Sequence, residues 1–261
     1  MAFEYKLLVS HKSRELLMQK IEPFAQLTKQ MAKNPLGILT VRSIYMDTPA
    51  FDFYNFKIDN LIVRKNVRIS GHNDDTTKAF LEVSRSNENL FYKSKASVPY
   101  DRVNKLFKGE IQSNEFLWDI KKSETASRFF YQIHRYNLRP TLKVVHDRVI
   151  FSSKIIDKEN DFKIFFQENM RCAPFPTVDT LFEENNMTSV MQDRILMVVR
   201  YQRACPAWFK PMLSQLIPLS GRVSKYRVCM EALPYIRTRS PLDNIIRGRF
   251  QSNSAFYGSK Y

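Results

Sequence analysis

Residues 3–9 alternate, with Phe3, Tyr5 and Leu7 on one side and Glu4, Lys6 and Leu8 on the other. That period of two predicts an opening strand with a charged face. A helical pattern follows. From Ser13, read as an N-cap, the apolar positions Leu16, Leu17, Ile21, Phe24, Leu27 and Met31 recur at helical spacing, and Pro23 marks a kink or a break into two helices. The chain then turns strand-like, with predicted strands over 40–46, 61–70, 79–84 and 91–98. Between them lie the turn Asp47-Thr48-Pro49, a short helix or bend over 51–58, and the polar turn Gly71-His72-Asn73-Asp74-Asp75. Short helices are predicted over 101–108 and 123–136, the second with Phe129, Phe130 and Ile133 as its apolar stripe. Strand patterns return at 142–151, 162–167 and 195–201. Pro206 then begins a helix whose buried face is Trp208, Phe209, Met212, Leu213 and Leu216.

One face of these strands is not apolar. Arg64, Asn66, Arg68 and Ser70 share a face by the same period, as do Lys93 with Lys95 and His146 with Arg148. A sheet with its polar face in water gives this pattern. So does a closed barrel with a basic lumen, and the excess of Arg and Lys on successive strands favours it, because adjacent like charges repel unless an anion lies among them.

Composition narrows the picture. The 261 residues are 44% hydrophobic and 13% aromatic, with 6 Gly and 12 Pro, which supports a packed core and excludes a disordered or collagen-like chain. Neither a tandem repeat nor a Ser/Gly linker divides it. With 41 Lys plus Arg against 26 Asp plus Glu the formal charge is +15, which implies an anionic partner: nucleic acid, anionic lipid, or polyphosphate and nucleotide. The sequence has no zinc-finger pattern, RNP motif or basic recognition helix, so nucleic acid has only the net charge behind it.

The longest apolar run, Ile195-Leu196-Met197-Val198-Val199, is far shorter than the roughly 20 residues of a membrane-spanning helix. The start of the sequence lacks a secretory-signal pattern. Cys172, Cys205 and Cys229 are widely spaced and form no CxxC pair, as expected in a reducing compartment without structural zinc. The expectation is a cytoplasmic protein, or one within an intracellularly assembled complex such as a virus particle.

An ordered series of motifs carries a resemblance. Arg42-Ser43-Ile44-Tyr45-Met46-Asp47-Thr48-Pro49, Phe53-Tyr54, Lys57-Ile58-Asp59 and Arg64-Lys65 with Val67-Arg68-Ile69 resemble the central signature of the VTC domain. This is the polyphosphate polymerase domain of vacuolar transporter chaperone proteins and their bacterial relatives. Phe3-Glu4-Tyr5-Lys6, Phe80-Leu81-Glu82-Val83, Arg139-Pro140-Thr141 through Asp147-Arg148, Pro206-Ala207-Trp208 and Ser224-Lys225-Tyr226 extend the match. The chain is accordingly divided into a tunnel domain over 1–227 and a basic C-terminal extension over 228–261.

The resemblance implies the α+β fold of the triphosphate tunnel metalloenzymes, an antiparallel β-barrel lined by Lys and Arg with helices packed outside. Active members transfer the γ-phosphate of ATP onto a growing polyphosphate chain, with manganese or magnesium placed by carboxylates. Such chemistry rests mostly on positioning and charge neutralisation. Carried over position by position, the phosphate-binding set is Lys6, Arg64, Arg68, Lys93, Lys95, Arg148, Lys163, Arg200 and Lys225, and Glu4 and Glu82 are the candidate metal ligands.

The departures are equally specific. Where the family reads LEVKY, with the Glu as principal metal ligand, this chain reads Met197-Val198-Val199-Arg200-Tyr201. Ser84 replaces an expected Lys, Ser70 the second Arg of a pair, and Gln167 an acid. Two readings follow: an enzyme acting on ATP, as polymerase or triphosphatase, or a barrel that binds polyphosphate or a nucleoside triphosphate with its metal site degenerate. A non-catalytic subunit of a larger assembly is the alternative use of the second. The stretch from Arg222 to Tyr261, with eight Lys plus Arg against two acids, is the candidate contact for a protein partner.

Overall fold

The computed structural model describes residues 2–32, 34–59, 61–112, 115–116, 124–155, 160–216 and 223–234. Its elements run β1 (Ala2–Val9), α1 (His11–Ile21), β2 (Ala25–Leu27), α2 (Lys29–Ala32), β3 (Leu39–Asp47) and α3 (Asp52–Ile58). Next come β4 (Val63–His72), β5 (Lys78–Asn87), β6 (Leu90–Pro99), α4 (Tyr100–Lys108), α5 (Glu124–Tyr136) and β7 (Arg139–Ser153). The chain continues through β8 (Lys163–Pro174), a 3-10 turn (Val178–Thr180), β9 (Thr188–Val190), β10 (Ile195–Tyr201), α6 (Lys210–Leu216) and α7 (Lys225–Ala232).

Eight strands close into an antiparallel barrel in the order β7-β3-β4-β5-β6-β1-β10-β8, and pairing of β7 with β8 completes the ring. β2 continues the line of β3 along the end of β7, and β9 continues that of β10 along β8. Closure removes the open edges that a flat sheet of these strands would expose.

The alternation read from the sequence maps onto inside and outside. Leu7 and Val9 of β1 and Met197 and Val199 of β10 turn outward under Leu17 and Ile21 of α1 and Phe209 and Leu213 of α6. Ile44, Val67, Ile69 and Leu81 turn outward under Val103 of α4 and Phe129 and Phe130 of α5. A third cluster lies on the other face of the strands. Leu142, Val144, Cys172, Leu196 and Val198 pack there against Tyr226, Cys229 and Met230 of α7. Gly71 is required by the outer packing, since a Cβ there would stand 2.6 Å from Phe182 Cζ.

Three expectations are corrected in the first forty residues and near residue 206. Ser10, not Ser13, caps α1, its hydroxyl accepting from the Ser13 amide at 3.1 Å. Pro23 breaks the helical run, which resumes only as the single turn α2 carrying Met31. The chain extends into β2, with Gln26 opposite Ser152, and Phe24 stacks on Trp208 at 5.2 Å instead of continuing a helical stripe. Missing a backbone donor, proline breaks the helix and leaves the next residues to the nearest strand. The helix expected from Pro206 begins at Lys210, after a turn in which the Phe209 amide bonds to the Pro206 carbonyl.

The division expected after residue 227 falls inside α7, whose Cys229 and Met230 are fully buried. Residues 235–261, most of the expected extension, lie outside the described residues. Cys172, Cys205 and Cys229 are free thiols. Among the described residues no helix is long and apolar enough to cross a membrane.

Candidate functional site

Period two sends the charged residues of the strands inward, and cross-strand register decides which of them meet. On β4–β6, Arg68 stands opposite Glu82 and Glu82 opposite Lys95. Glu82 is only 2% exposed; its Oε1 takes Lys93 Nζ at 2.9 Å and lies 3.9 Å from Lys95, while its Oε2 takes Arg68. Burial alone would raise its pKa, but the Arg68 and Lys93 charges outweigh that and hold the carboxyl well below its usual range. Arg68 also donates to the Tyr45 hydroxyl at 3.1 Å.

On β1 and β10, Glu4 stands opposite Arg200. Its Oε1 meets Lys6 Nζ at 2.9 Å and its Oε2 is bonded by the Arg200 guanidinium. Burial pushes the Glu4 pKa up, and the charges of Lys6 and Arg200 bring it down to about 2. Arg200 also lies over the rings of Phe91 and Phe165, at 4.6 and 5.0 Å.

The third part of the lumen differs. Arg148 of β7 and Lys225 at the start of α7 both reach His146, at 3.1 and 3.4 Å from its Nε2, and Lys225 donates to Gln167 Oε1 at 2.5 Å. With Nε2 accepting, the imidazole proton belongs on Nδ1, which is buried without a partner among the described residues. Burial, then Lys225 and Arg148, push the His146 pKa well below 6.5, so the ring is neutral. Burial, then Arg148 and Arg68, push Lys225 well below 10.5, and burial and Arg68 lower Arg148 to about 10. Among the described residues neither cation has a carboxylate partner.

α7 is held in place by a hub that the sequence reading took for a turn. Asp47 accepts from the amides of Thr48, Phe53 and Tyr54 at 2.7, 2.9 and 3.0 Å, which anchors the start of α3, and from the Tyr226 hydroxyl at 2.6 Å. Tyr226 also stacks on Tyr45 at 5.2 Å. Because Tyr226 follows Lys225 directly, this bond fixes the direction of the lysine. The clue in the sequence was an acid immediately before a Thr-Pro helix start.

These groups surround a lumenal cavity of about 100 Å³, whose walls include Lys6, Arg68, Lys93, Arg148, Arg200 and Lys225. A wider cavity of about 330 Å³ shares Glu4, Lys6 and Phe91 with it and is lined also by Arg64. Lys95 lies beside Glu82, its ammonium 3.5 Å from the centre of the Phe80 ring. Lys163 joins neither cavity; its ammonium turns to Asp161 at 2.6 Å. Tyr45, Asn66 and Phe165, which also line the lumen, were missed as site residues. The alternation that found Arg68 also puts Asn66 inward.

The resemblance implies a divalent metal, and the donor set does not fit one. Both oxygens of Glu4 and of Glu82 are taken by cationic donors, and Val198, at the position of the family's principal ligand, is 3% exposed amid Leu196 and Phe165. Among the described residues no group of three or more His, Cys, Asp or Glu side chains is placed to share an ion. Magnesium favours near-octahedral oxygen ligation including one or two available carboxylates.

An antiparallel barrel closed around a charged lumen, with α7 fastened over part of its inner face, defines a tunnel-type domain. The family model of the VTC domain matches residues 1–234, and the chain belongs to that family. A search of curated proteins finds no match. Among solved structures the chain is similar to an adenylyl cyclase candidate from Hippeastrum, described as having a dominant triphosphatase activity. That match has 13% identity and a TM-score of 0.48, over 90% of this chain and 98% of the other. It is similar also to an adenylate cyclase candidate from Bacillus halodurans, at 9% identity and a TM-score of 0.43, over 92% and 98% of the two chains.

Proposed function

We propose that the lumen binds the triphosphate group of a polyphosphate chain or nucleoside triphosphate, in a tunnel domain that keeps its anion site and has lost phosphoryl transfer. One observation carries this reading: Arg148 and Lys225 converge on a lumenal cavity in which the lining acid among the described residues, Glu4, is already paired with Lys6 and Arg200. Uncompensated buried charge is costly, and an anion between the two relieves it. A guanidinium offers paired donors to phosphate oxygens, and an ammonium offers a point charge. The apolar wall of Leu196, Val198 and Phe165 keeps the dielectric low and strengthens both contacts.

Loss of transfer chemistry is supported by the two saturated glutamates and by Val198. Manganese or magnesium, the ions of active relatives, would meet cations there before they met a free carboxylate. A binding subunit of a larger assembly is therefore favoured over a polymerase.

The test is calorimetric titration of inorganic tripolyphosphate into the wild type and Arg148→Ala. Loss of one charged hydrogen-bonding partner is worth roughly 1.5–3 kcal/mol, so the variant is expected to bind about ten- to a hundredfold more weakly. Equal affinities in the two proteins would sink the reading. Incubation with ATP and manganese is expected to give no more polyphosphate or free phosphate from the wild type than from the variant.

A further inference from the structure

We infer that the lumen takes its polyanion free of metal, so that divalent cations compete with the protein for the ligand instead of helping it bind. The inference rests on the anion-binding reading above and goes beyond it by specifying the charge state of the ligand.

The argument is one of charge and of occupied lone pairs. Glu82 is shared by three cations, Arg68, Lys93 and Lys95, and Glu4 by two, Lys6 and Arg200. Arg148 and Lys225 add two with no acid beside them among the described residues. With all of them protonated, seven basic side chains face two carboxylates, a formal excess of five positive charges that burial disfavours in the empty lumen by lowering the pKa of Lys225 and, to about 7, of Lys93. Each phosphate of a linear chain carries about one negative charge, and terminal phosphates gain a second as pH passes about 6. A free triphosphate thus brings about four to five charges, which matches the excess. A magnesium complex of the same ligand brings two fewer and leaves cations of the lumen unneutralised.

The metal itself would find no seat. To reach an oxygen of Glu82 it must displace Arg68 or Lys93, and to reach Glu4 it must displace Lys6 or Arg200. Each displaced cation would then stand a few ångströms from a divalent ion. At an effective dielectric of about 20, one pair of unit charges 4 Å apart alters an equilibrium by well over tenfold. The position at which the family's carboxylate would offset this is Val198, opposite Lys6 in the β1–β10 register.

The experiment titrates inorganic tripolyphosphate into the full chain by calorimetry, once in EDTA and once at rising magnesium or manganese. Binding is expected in EDTA, with apparent affinity falling about tenfold or more as the ligand becomes fully complexed. Binding that needs the metal would overturn the inference and leave the anion-binding reading standing. Absence of binding in both solutions would overturn that reading itself. Val198→Glu supplies the missing carboxylate: it is expected to weaken binding in EDTA by about tenfold and to make magnesium favourable. If Val198→Glu does not fold, as checked by its thermal melt, the wild-type titration decides the matter by itself.

Discussion

The wall formed by β4, β5 and β6 and the wall formed by β7, β8 and α7 solve the same problem in opposite ways. On the first, one buried carboxylate is surrounded by Arg68, Lys93 and Lys95. On the second, Arg148 and Lys225 share only a neutral imidazole and an amide. The first wall carries its own acid, which partly offsets its cations and fixes their positions. The second lacks such an acid among the described residues, and under the proposed function that difference makes it the binding wall although both look equally basic in the sequence.

The sharpest way to break the comparison is at Lys225. Lys225→Met removes a cation from the binding wall, keeps the length of its stem, and leaves the Asp47–Tyr226 bond intact. Tripolyphosphate affinity, measured by calorimetry, is expected to fall about tenfold or more with little change in melting temperature. A wild-type affinity in this variant would mean that α7 serves only to close the barrel.

Glu82→Gln probes the other wall. Breaking one side of a buried ion cluster costs about 3–5 kcal/mol, so the melting temperature is expected to drop by many degrees. Affinity for tripolyphosphate in EDTA is nevertheless expected to hold or to improve, because three cations are released toward the ligand. Loss of affinity in a variant that remains folded would make Glu82 part of the binding machinery and erase the distinction between the walls.

A third effect, spread over several pH units, concerns the floor beneath α7. Lys57, buried with its ammonium 4.9 Å from the centre of the Tyr226 ring, is pushed down to about 7 by burial, against the pull of Asp47 and with help from Arg64 and Lys6. In the unfolded chain its pKa returns to about 10.4, so between those values the unfolded state holds the extra proton. Stability therefore gains from this group as pH rises through that window, by up to about 1.4 kcal/mol per unit. Thermal melts of the wild type from neutral to alkaline pH are expected to show that gain, and Lys57→Met to reduce it. An unchanged slope would show that the floor beneath α7 is hydrated.

Much of the architecture was legible because the signals are local. The alternation of Glu4 and Lys6 with Tyr5 and Leu7 fixes a face whatever the partner strand, and the same holds for Arg68 and for Lys93. The failures came where local and distant preferences compete. Phe24 and Leu27 keep a helical spacing from Leu16 and Leu17, yet Pro23 frees them and an open stretch of β7 takes up the backbone. Lys163 sits at a motif position and shares the register of Arg200, but Asp161, two residues away, captures its ammonium.

By itself the sequence determined the inward direction of most of the basic set, which follows from residue type and a period of two and needs no knowledge of neighbours. The class of fold and the loss of a carboxylate at Val198 were legible through the resemblance of its motifs to the VTC domain. Only the tertiary structure decided which cations are neutralised. Ion pairing depends on contacts within a few ångströms, and Arg200 meets Glu4 across 196 positions of chain, whereas Tyr226 reaches Asp47 across 179. Barrel closure and the seating of α7 set those contacts, and they turn a uniformly basic lining into one wall with a shared carboxylate and one whose cations meet only an imidazole and an amide.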